Sequence, residues 1–264
     1  MSVSDVATID VRDDGVGIIE MRRPPHNFLS PTLVETIADA LEAFDGDSAV
    51  RAAVLAAEGR SFCAGADLGG EGPRDQTDVR PTSTSVTARL YEGAARLCAV
   101  ATPVVAAVHG PAVGGGLGLA LTASMRVTCA EARFSANFAK LGIHHGFGLS
   151  VTLPELVGPS RAALVLFTGR RFNGEEATRL GLADQCVPAD RVRASAIDLA
   201  GEIAENAPLA VQAMNRTLRT GLADRVRAAT AHEAAEQARL GATDDAREGV
   251  LAVAERRPGS FTGR

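Results

Sequence analysis

Two stretches rich in glycine and alanine hold the residue types that could do chemistry in this sequence. Residues 61–68 read SFCAGADL, and residues 104–121 read VVAAVHGPAVGGGLGLAL. In both, small residues follow an apolar run typical of a buried strand, and a helix is predicted after the second. Glycine lets a ligand approach the backbone, and amides at a helix N-terminus point at negative charge. The pattern favours a site in which backbone N–H groups bind an anion or an oxyanion.

Three interpretations of the glycine cluster compete. A dinucleotide-binding loop is disfavoured, because the spacing departs from GxGxxG and the chain does not open with this unit. Tight packing alone would need fewer than three consecutive glycines at a strand end. The third interpretation takes one amide from each loop as the two donors to a thioester oxyanion.

The composition bounds the class of protein. The chain has 264 residues, of which 46% are hydrophobic and 22% charged, and its formal net charge is −5. These values are typical of a globular protein and leave no global basic footprint for nucleic acid. The four cysteines form no CxxC pair, which excludes a zinc ribbon and fits thiols in a reducing compartment. The N-terminus lacks a signal-peptide pattern and no apolar run could span a bilayer, so we expect a cytoplasmic protein with no membrane partner.

The elements that must position the two loops follow an α/β order. A hairpin is predicted around Asp13-Asp14-Gly15, and Ser30 followed by Pro31 predicts a helix start. Residues 69–85 predict a mobile lid. Strands are predicted at 5–12, 15–21, 50–56, 103–108, 126–130, 132–135 and 183–187, and helices at 31–45, 86–100, 117–124, 160–167, 174–180, 189–206, 208–220, 223–240 and 243–256.

Five blocks together resemble the enoyl-CoA hydratase/isomerase family, the crotonase superfamily. They are RSFCAGADL, PVVAAVHGPAVGGGLGLAL, LGIHHGFG, FTGRRFNGEEATRLGLAD and EGVLAVAERRPGSF, and they occur in the family's order over nearly the whole chain. The resemblance implies a crotonase-like spiral of ββα units over residues 1–190 and a C-terminal helical trimerisation region over 191–264. It implies an acyl-CoA thioester ligand, with coenzyme A as part of the substrate, no covalently bound cofactor, no metal, and trimers or hexamers.

The resemblance also assigns site residues. The oxyanion-hole amides map onto Ala66 and Gly115. Arg256 and Phe261 match positions that in hexameric members reach a neighbouring subunit's CoA. The complete set expected to bind CoA or substrate is Pro25, His26, Phe28, Ala64, Gly65, Asp67, Leu68, Gly114, Gly118, Phe138, Arg256 and Phe261.

The sequence departs from the family at the two glutamates that hydratases use to orient water and deliver its proton. Those positions are Gly118 and Phe138, and neither side chain can do acid–base chemistry. A backbone oxyanion hole survives such changes and still favours reactions that develop negative charge on the thioester oxygen. Standard two-glutamate hydration is therefore not expected.

His144 and His145 are the local candidates for a replacement acid or base, because imidazole titrates near neutral pH. The alternative is that one caps the following helix and the other faces solvent. Two functions stay open: a CoA-thioester lyase or isomerase, and a non-catalytic acyl-CoA carrier or regulator in which Phe138 grips the acyl chain. A serine peptidase on a related fold is disfavoured, because no serine lies between Gly110 and Leu121.

Overall fold

A computed structural model describes residues 2–67 and 84–264 of the chain. In these residues, seven strands form one mixed sheet in the order β1-β2-β3-β4-β5-β7-β9, and β6 pairs with β8 separately. The strands are β1 (Ser2–Val3), β2 (Ala7–Val11), β3 (Val16–Met21), β4 (Ala52–Ala57), β5 (Val104–Val108), β6 (Ala112–Val113), β7 (Met125–Thr128), β8 (Phe134–Ser135) and β9 (Gln185–Cys186).

Pairing changes from antiparallel to parallel along this sheet. The pairs β1–β2 and β2–β3 are antiparallel, whereas β3, β4, β5, β7 and β9 run parallel. The hairpin turn has Gly15 at φ 84°, in the left-handed region that glycine tolerates. All five residues of β5 are buried, as expected for a parallel strand covered on both faces. The parallel strands end at one edge of the sheet, where the two small-residue loops follow β4 and β5.

The helices cover the sheet and form most of the second half of the chain. They are α1 (Pro31–Gly46), α2 (Thr84–Ala99), α3 (Gly115–Thr122), α4 (Leu149–Val157), α5 (Pro159–Thr168), α6 (Gly174–Leu180), α7 (Val192–Ala204), α8 (Pro208–Leu218), α9 (Leu222–Gly241) and α10 (Asp244–Ala254), with 3-10 turns at Asn137–Leu141 and Ala189–Arg191. α7 packs on β4 and β5, whereas α9 packs on α2 and α4. In the part of the chain that the structure describes, no helix is long and apolar enough to cross a membrane.

Most predicted elements are found, with boundary shifts and four omissions, of which β1 and β6 are strands of only two residues each. The Ser30 hydroxyl accepts a hydrogen bond from the Leu33 amide at 3.2 Å, with Pro31 at the first helical position, so the predicted start of α1 is confirmed. The sequence did not predict α4, which contains Pro154, because a proline inside an apolar run indicates a break. It also missed the 3-10 turn over 137–141. The lid predicted over 69–85 falls outside the described residues except for 84–85, where α2 begins.

Candidate functional site

The two predicted loops lie against each other at the ends of β4 and β5. The Cys63 amide donates to the Pro111 carbonyl at 3.1 Å, and the Val113 amide donates to the Cys63 carbonyl at 3.0 Å. A Cβ at Gly116 would lie 2.0 Å from the Cys63 carbonyl oxygen, and one at Gly65 would lie 2.5 Å from the Val113 oxygen. Side chains at these two positions would push the loops apart, which is why the sequence has glycine there.

The amides of Ala66 and Gly115, predicted as oxyanion donors, belong to these touching loops. Gly115 opens α3, and the first N–H groups of a helix have no acceptor within it. A Cβ at Gly65, the residue before Ala66, would lie 3.5 Å from the Gly115 nitrogen. Ala66 is exposed and Gly115 half-buried, so a ligand can reach both. Their role as a donor pair remains a prediction.

The segment 23–29 contains Pro25, His26 and Phe28, which are expected to bind CoA, and it is tied to the first loop by backbone hydrogen bonds. The Ala64 amide donates to the His26 carbonyl at 3.0 Å, and the Leu29 amide donates to the Gly65 carbonyl at 2.9 Å. Asn27 holds this segment in place. Its side-chain nitrogen donates to the Glu58 and Ser61 carbonyls at 2.6 and 2.8 Å, and its φ is 48°.

Sequence reasoning missed Asn27. The signal was available, because asparagine is one of the few residues enriched in the left-handed region.

Several side chains of this segment and its neighbour Arg22 form hydrogen bonds or ion pairs within the protein. His26 shares a 3.0 Å hydrogen bond between its Nδ1 and the Ser61 hydroxyl, and its ring centroid lies 5.7 Å from that of Phe28. Arg23 is buried and donates to the Phe28 carbonyl at 3.0 Å, whereas Arg22 pairs with Glu58. Arg23 is therefore a structural cation.

The glycine triplet is bordered by three apolar side chains, Leu29, Phe138 and Phe147, here called the apolar wall. A Cβ at Gly118 would lie 2.8 Å from the Phe147 Cβ, and one at Gly115 would lie 2.6 Å from Leu29 Cδ1. At Gly114 it would lie 3.4 Å from the Asn137 Oδ1 and 3.6 Å from Phe138 Cζ. Of the two positions expected from the resemblance to carry glutamates, Gly118 thus packs against Phe147 and the other is the Phe138 ring itself.

Phe147 was not predicted as a site residue. It is 2% exposed, and its φ of 60° is unusual for a bulky residue. The glycines on both sides, Gly146 and Gly148, are the signal in the sequence that could have marked this turn. Gly118 is explained by Phe147, because the ring and backbone of that residue fill the space where a side chain would extend.

His144, the first residue of the predicted acid–base pair His144 and His145, lies beside His232 of α9. Their rings stack with centroids 4.0 Å apart, and the His232 ring lies 5.8 Å from that of His144. The His145 Nε2 shares a 2.9 Å hydrogen bond with the Ser150 hydroxyl, and the His144 Nδ1 lies 2.7 Å from the His145 carbonyl oxygen. Both rings are half-buried rather than solvated, and acid–base roles for them remain predictions.

The charge state of His145 follows from its surroundings. Burial, followed by electrostatic repulsion from His144 and then His232, lowers its pKa to about 4. The imidazole is therefore neutral at pH 7, and it is a weak base.

The N-terminus of α4 is held by Glu233 of α9, so neither histidine is needed to cap it. The fully buried Glu233 carboxylate accepts from the Gly148 and Ser150 amides at 2.9 and 3.0 Å. Gln237 donates to the His144 carbonyl at 3.0 Å and accepts from the Tyr91 hydroxyl at 2.7 Å. Burial, with the Glu233 charge second, raises the pKa of Tyr91. Sequence reasoning missed Glu233, because it lies in a helix rich in exposed charges.

The remaining predicted residues have varied placements. Burial raises the pKa of the Cys63 thiol to about 12, which argues against a nucleophile there. Asp67 is half-buried, and Leu68 lies outside the described residues. Arg256 and Phe261 lie in the exposed tail after α10, and the backbone carbonyl of Pro25 accepts from the Arg60 amide at 2.8 Å. No group of three side chains able to hold a metal occurs among residues 2–67 and 84–264.

Comparison with known proteins gives consistent matches. The family model described as enoyl-CoA hydratase/isomerase matches residues 12–264. A probable enoyl-CoA hydratase of Mycobacterium bovis is 32% identical over 258 residues, covering 96% of each chain. The 2,3-dehydroadipyl-CoA hydratase of Escherichia coli is 32% identical over 96% of this chain and 97% of its own length.

Solved structures agree with these relatives. The crystal structure of an enoyl-CoA hydratase/isomerase from Pseudoalteromonas atlantica superposes with a TM-score of 0.85 at 29% identity, covering 98% of this chain and 100% of the other. The order of strands, the two touching loops and these matches lead to one conclusion. The chain has the crotonase fold and belongs to the enoyl-CoA hydratase/isomerase family.

Proposed function

We propose that this protein binds an acyl-CoA thioester and stabilises negative charge on its carbonyl oxygen with the Ala66 and Gly115 amides, without glutamate-assisted hydration. The supporting observation is the close contact of the two loops, which needs glycine at positions 65 and 116. Donors fixed by the backbone are organised before the substrate arrives, and this is the main source of oxyanion stabilisation.

The reaction class that fits such a site is enolisation. The α-carbon C–H bond would break, its electron pair would enter the enolate, and the negative charge would reach the thioester oxygen. The proton needs an acceptor, for which His145 is the proposed candidate. A pKa of about 4 makes His145 neutral and able to accept a proton, but with little driving force.

A second candidate function is a non-catalytic acyl-CoA carrier or regulator. It is favoured by the apolar wall, because Phe138 and Phe147 are rings at the place where proton transfer would occur. Such rings can grip an acyl chain.

The experiment that separates the two functions measures binding and α-proton exchange on one preparation. Butanoyl-CoA is titrated by calorimetry, and deuterium incorporation at its α-carbon is followed in D₂O by mass spectrometry. Loss of the conjugated absorbance of 2-butenoyl-CoA is measured in parallel. Binding with exchange supports the enzyme, binding with neither exchange nor absorbance loss supports the carrier, and no binding contradicts both.

A matched pair of glycine variants tests the part played by the loops. Gly116→Ala forces the loops apart and should reduce thioester affinity by tenfold or more, on the order of 1.4 kcal/mol. Gly201→Ala is the control, because a Cβ there meets nothing within 4 Å. Equal affinity in two folded variants would contradict the proposed binding mode.

We further propose, from the resemblance, that the protein assembles as a trimer or hexamer through its C-terminal helical region and functions in the cytoplasm in lipid metabolism. Arg256 and Phe261 would then meet CoA bound to a neighbouring subunit. Light scattering measures the assembly state, and a monomer at micromolar concentration would contradict this proposal.

A further inference from the structure

The apolar wall surrounds one end of the site with side chains that cannot hydrogen-bond. Phe138 and Phe147 are 9% and 2% exposed, and Leu29 contributes an aliphatic end at Gly115. Among the described side chains that a Cβ at Gly114, Gly115 or Gly118 would meet first, the polar one is Asn137, and it lies beside Gly114 rather than Gly118.

The placement of Phe147 is enforced by the backbone. Its φ of 60° is followed by 75° at Gly148, where the Glu233 carboxylate fixes the amide at 2.9 Å. Gly118 on α3 provides the matching gap. The backbone at residue 147 is therefore fixed by the start of α4, and the Phe147 side chain packs against α3 at Gly118.

A hydroxyl on the β-carbon of an acyl group is the product that a hydratase forms, and in hydratases the two glutamates handle it. Here those two positions present Gly118 covered by Phe147, and Phe138. A hydroxyl placed against these rings would lose its bonds to water and gain none from the wall.

We propose that Phe147 is a specificity-determining residue that makes this site select acyl-CoA thioesters with an apolar β-carbon and reject 3-hydroxyacyl-CoA thioesters. The inference rests on the proposed function, since it needs a thioester bound beside Gly115. It goes beyond that function by naming the class of thioester that the site binds and the residue, Phe147, that determines the preference.

The test compares three ligands by calorimetry: butanoyl-CoA, 2-butenoyl-CoA and 3-hydroxybutanoyl-CoA. The first two should bind alike, and the third about tenfold more weakly or worse. Equal binding of all three would overturn the inference while leaving the proposed function intact. Binding of none of them would contradict the proposed function itself.

Variants at one position then locate the cause. Phe147→Asn suits a left-handed backbone and supplies a partner for the hydroxyl, so the discrimination should fall to about threefold or less. Phe147→Ala, which opens room for water, should act in the same direction and serves if the first variant does not fold. Phe167→Ala is the control, because that ring is 78% exposed and should leave the ratio unchanged. If a folded Phe147 variant kept the same ratio of affinities for butanoyl-CoA and 3-hydroxybutanoyl-CoA, Phe147 would not be the residue that determines this specificity.

Discussion

Residues 144–147 carry two unlike regions of this molecule on four consecutive positions. Phe147 projects towards α3 and packs on Gly118 in an apolar wall, whereas His144 and His145 stack beside α9 with His232. Phe147 is buried, whereas His144 and His145 are half-buried. The two histidines therefore differ in surroundings from Phe147, the side chain that packs on Gly118 of α3.

The difference shows which part of a site is robust to sequence change. The loops that present Ala66 and Gly115 depend on the backbone and on small residues, and they keep their contact here. Acid–base chemistry depends on side chains, and the two positions expected from the resemblance to carry glutamates are Gly118, packed against Phe147, and Phe138. We therefore expect family membership in this chain to predict the oxyanion donors better than it predicts the reaction.

Both regions depend on Glu233, and its removal should have the largest effect. Glu233→Ala leaves the Gly148 and Ser150 amides without their acceptor inside the protein. Each buried unsatisfied donor costs about 1–3 kcal/mol, so the free energy of unfolding should fall by about 3 kcal/mol or more. Urea unfolding measures it.

Two further variants test whether the lost free energy of unfolding is due to the buried Glu233 carboxylate. Glu233→Gln keeps one acceptor oxygen and should lose roughly half as much. Glu236→Ala, three residues along the same helix and paired with exposed Arg239, should leave the unfolding midpoint nearly unchanged. If Glu233→Ala behaved like Glu236→Ala, the anchoring of both regions by α9 would be wrong.

Adding one methyl group at Gly118 should disrupt the packing of the apolar wall and lower the free energy of unfolding. Gly118→Ala would place its Cβ 2.8 Å from the Phe147 Cβ, and overpacking of this kind costs about 1–3 kcal/mol. Phe147→Gly removes the opposing atoms and suits φ 60°, so Gly118→Ala should be tolerated in that background. Urea unfolding of both single variants and the double variant gives a coupling of about 1 kcal/mol or more. Additive losses would show that Gly118 and Phe147 do not depend on each other.

The sequence predicted the parts of the fold that local patterns control. Alternation in 5–12 and 15–21, the Ser30–Pro31 start and the apolar run of β5 each specify an element without help from distant residues. It did not predict α4, where Pro154 lies inside the helix and the N-terminus is held by a residue 83 and 85 positions away in sequence. Contacts at such separation leave no local pattern.

The site divides in the same way. The touching loops could be predicted, because small residues follow two parallel strands that end at the same edge of the sheet. Asn27 and Phe147 left signals that were overlooked, an asparagine suited to a left-handed backbone and a residue flanked by two glycines. Glu233 could not be predicted, since its importance comes from partners on another element. The sequence predicted the replacement of glutamates at Gly118 and Phe138. It did not predict that Phe147 fills the space beside Gly118, which only the structure shows.

The polar region should give the smallest effect, a pH dependence of stability. Burial lowers the pKa of His145 to about 4 in the folded protein, below the ordinary value of 6.5 that it regains on unfolding. Protons therefore bind the unfolded chain more readily. The stability due to neutral His145 is fully present above pH 6.5 and is lost progressively as the pH falls towards 4.

His145→Asn removes this group, so its melting temperature should fall less than that of the unsubstituted protein between pH 7.5 and pH 4.5. Ser150→Ala is the matched control. It deletes the 2.9 Å hydrogen bond but leaves the ring buried, so the steeper pH dependence should persist. Calorimetric melting curves at several pH values measure all three. Identical slopes for His145→Asn and the unsubstituted protein would mean that the histidine stack is hydrated in solution, and the contrast between the two sides of residues 144–147 would then rest on the apolar wall alone.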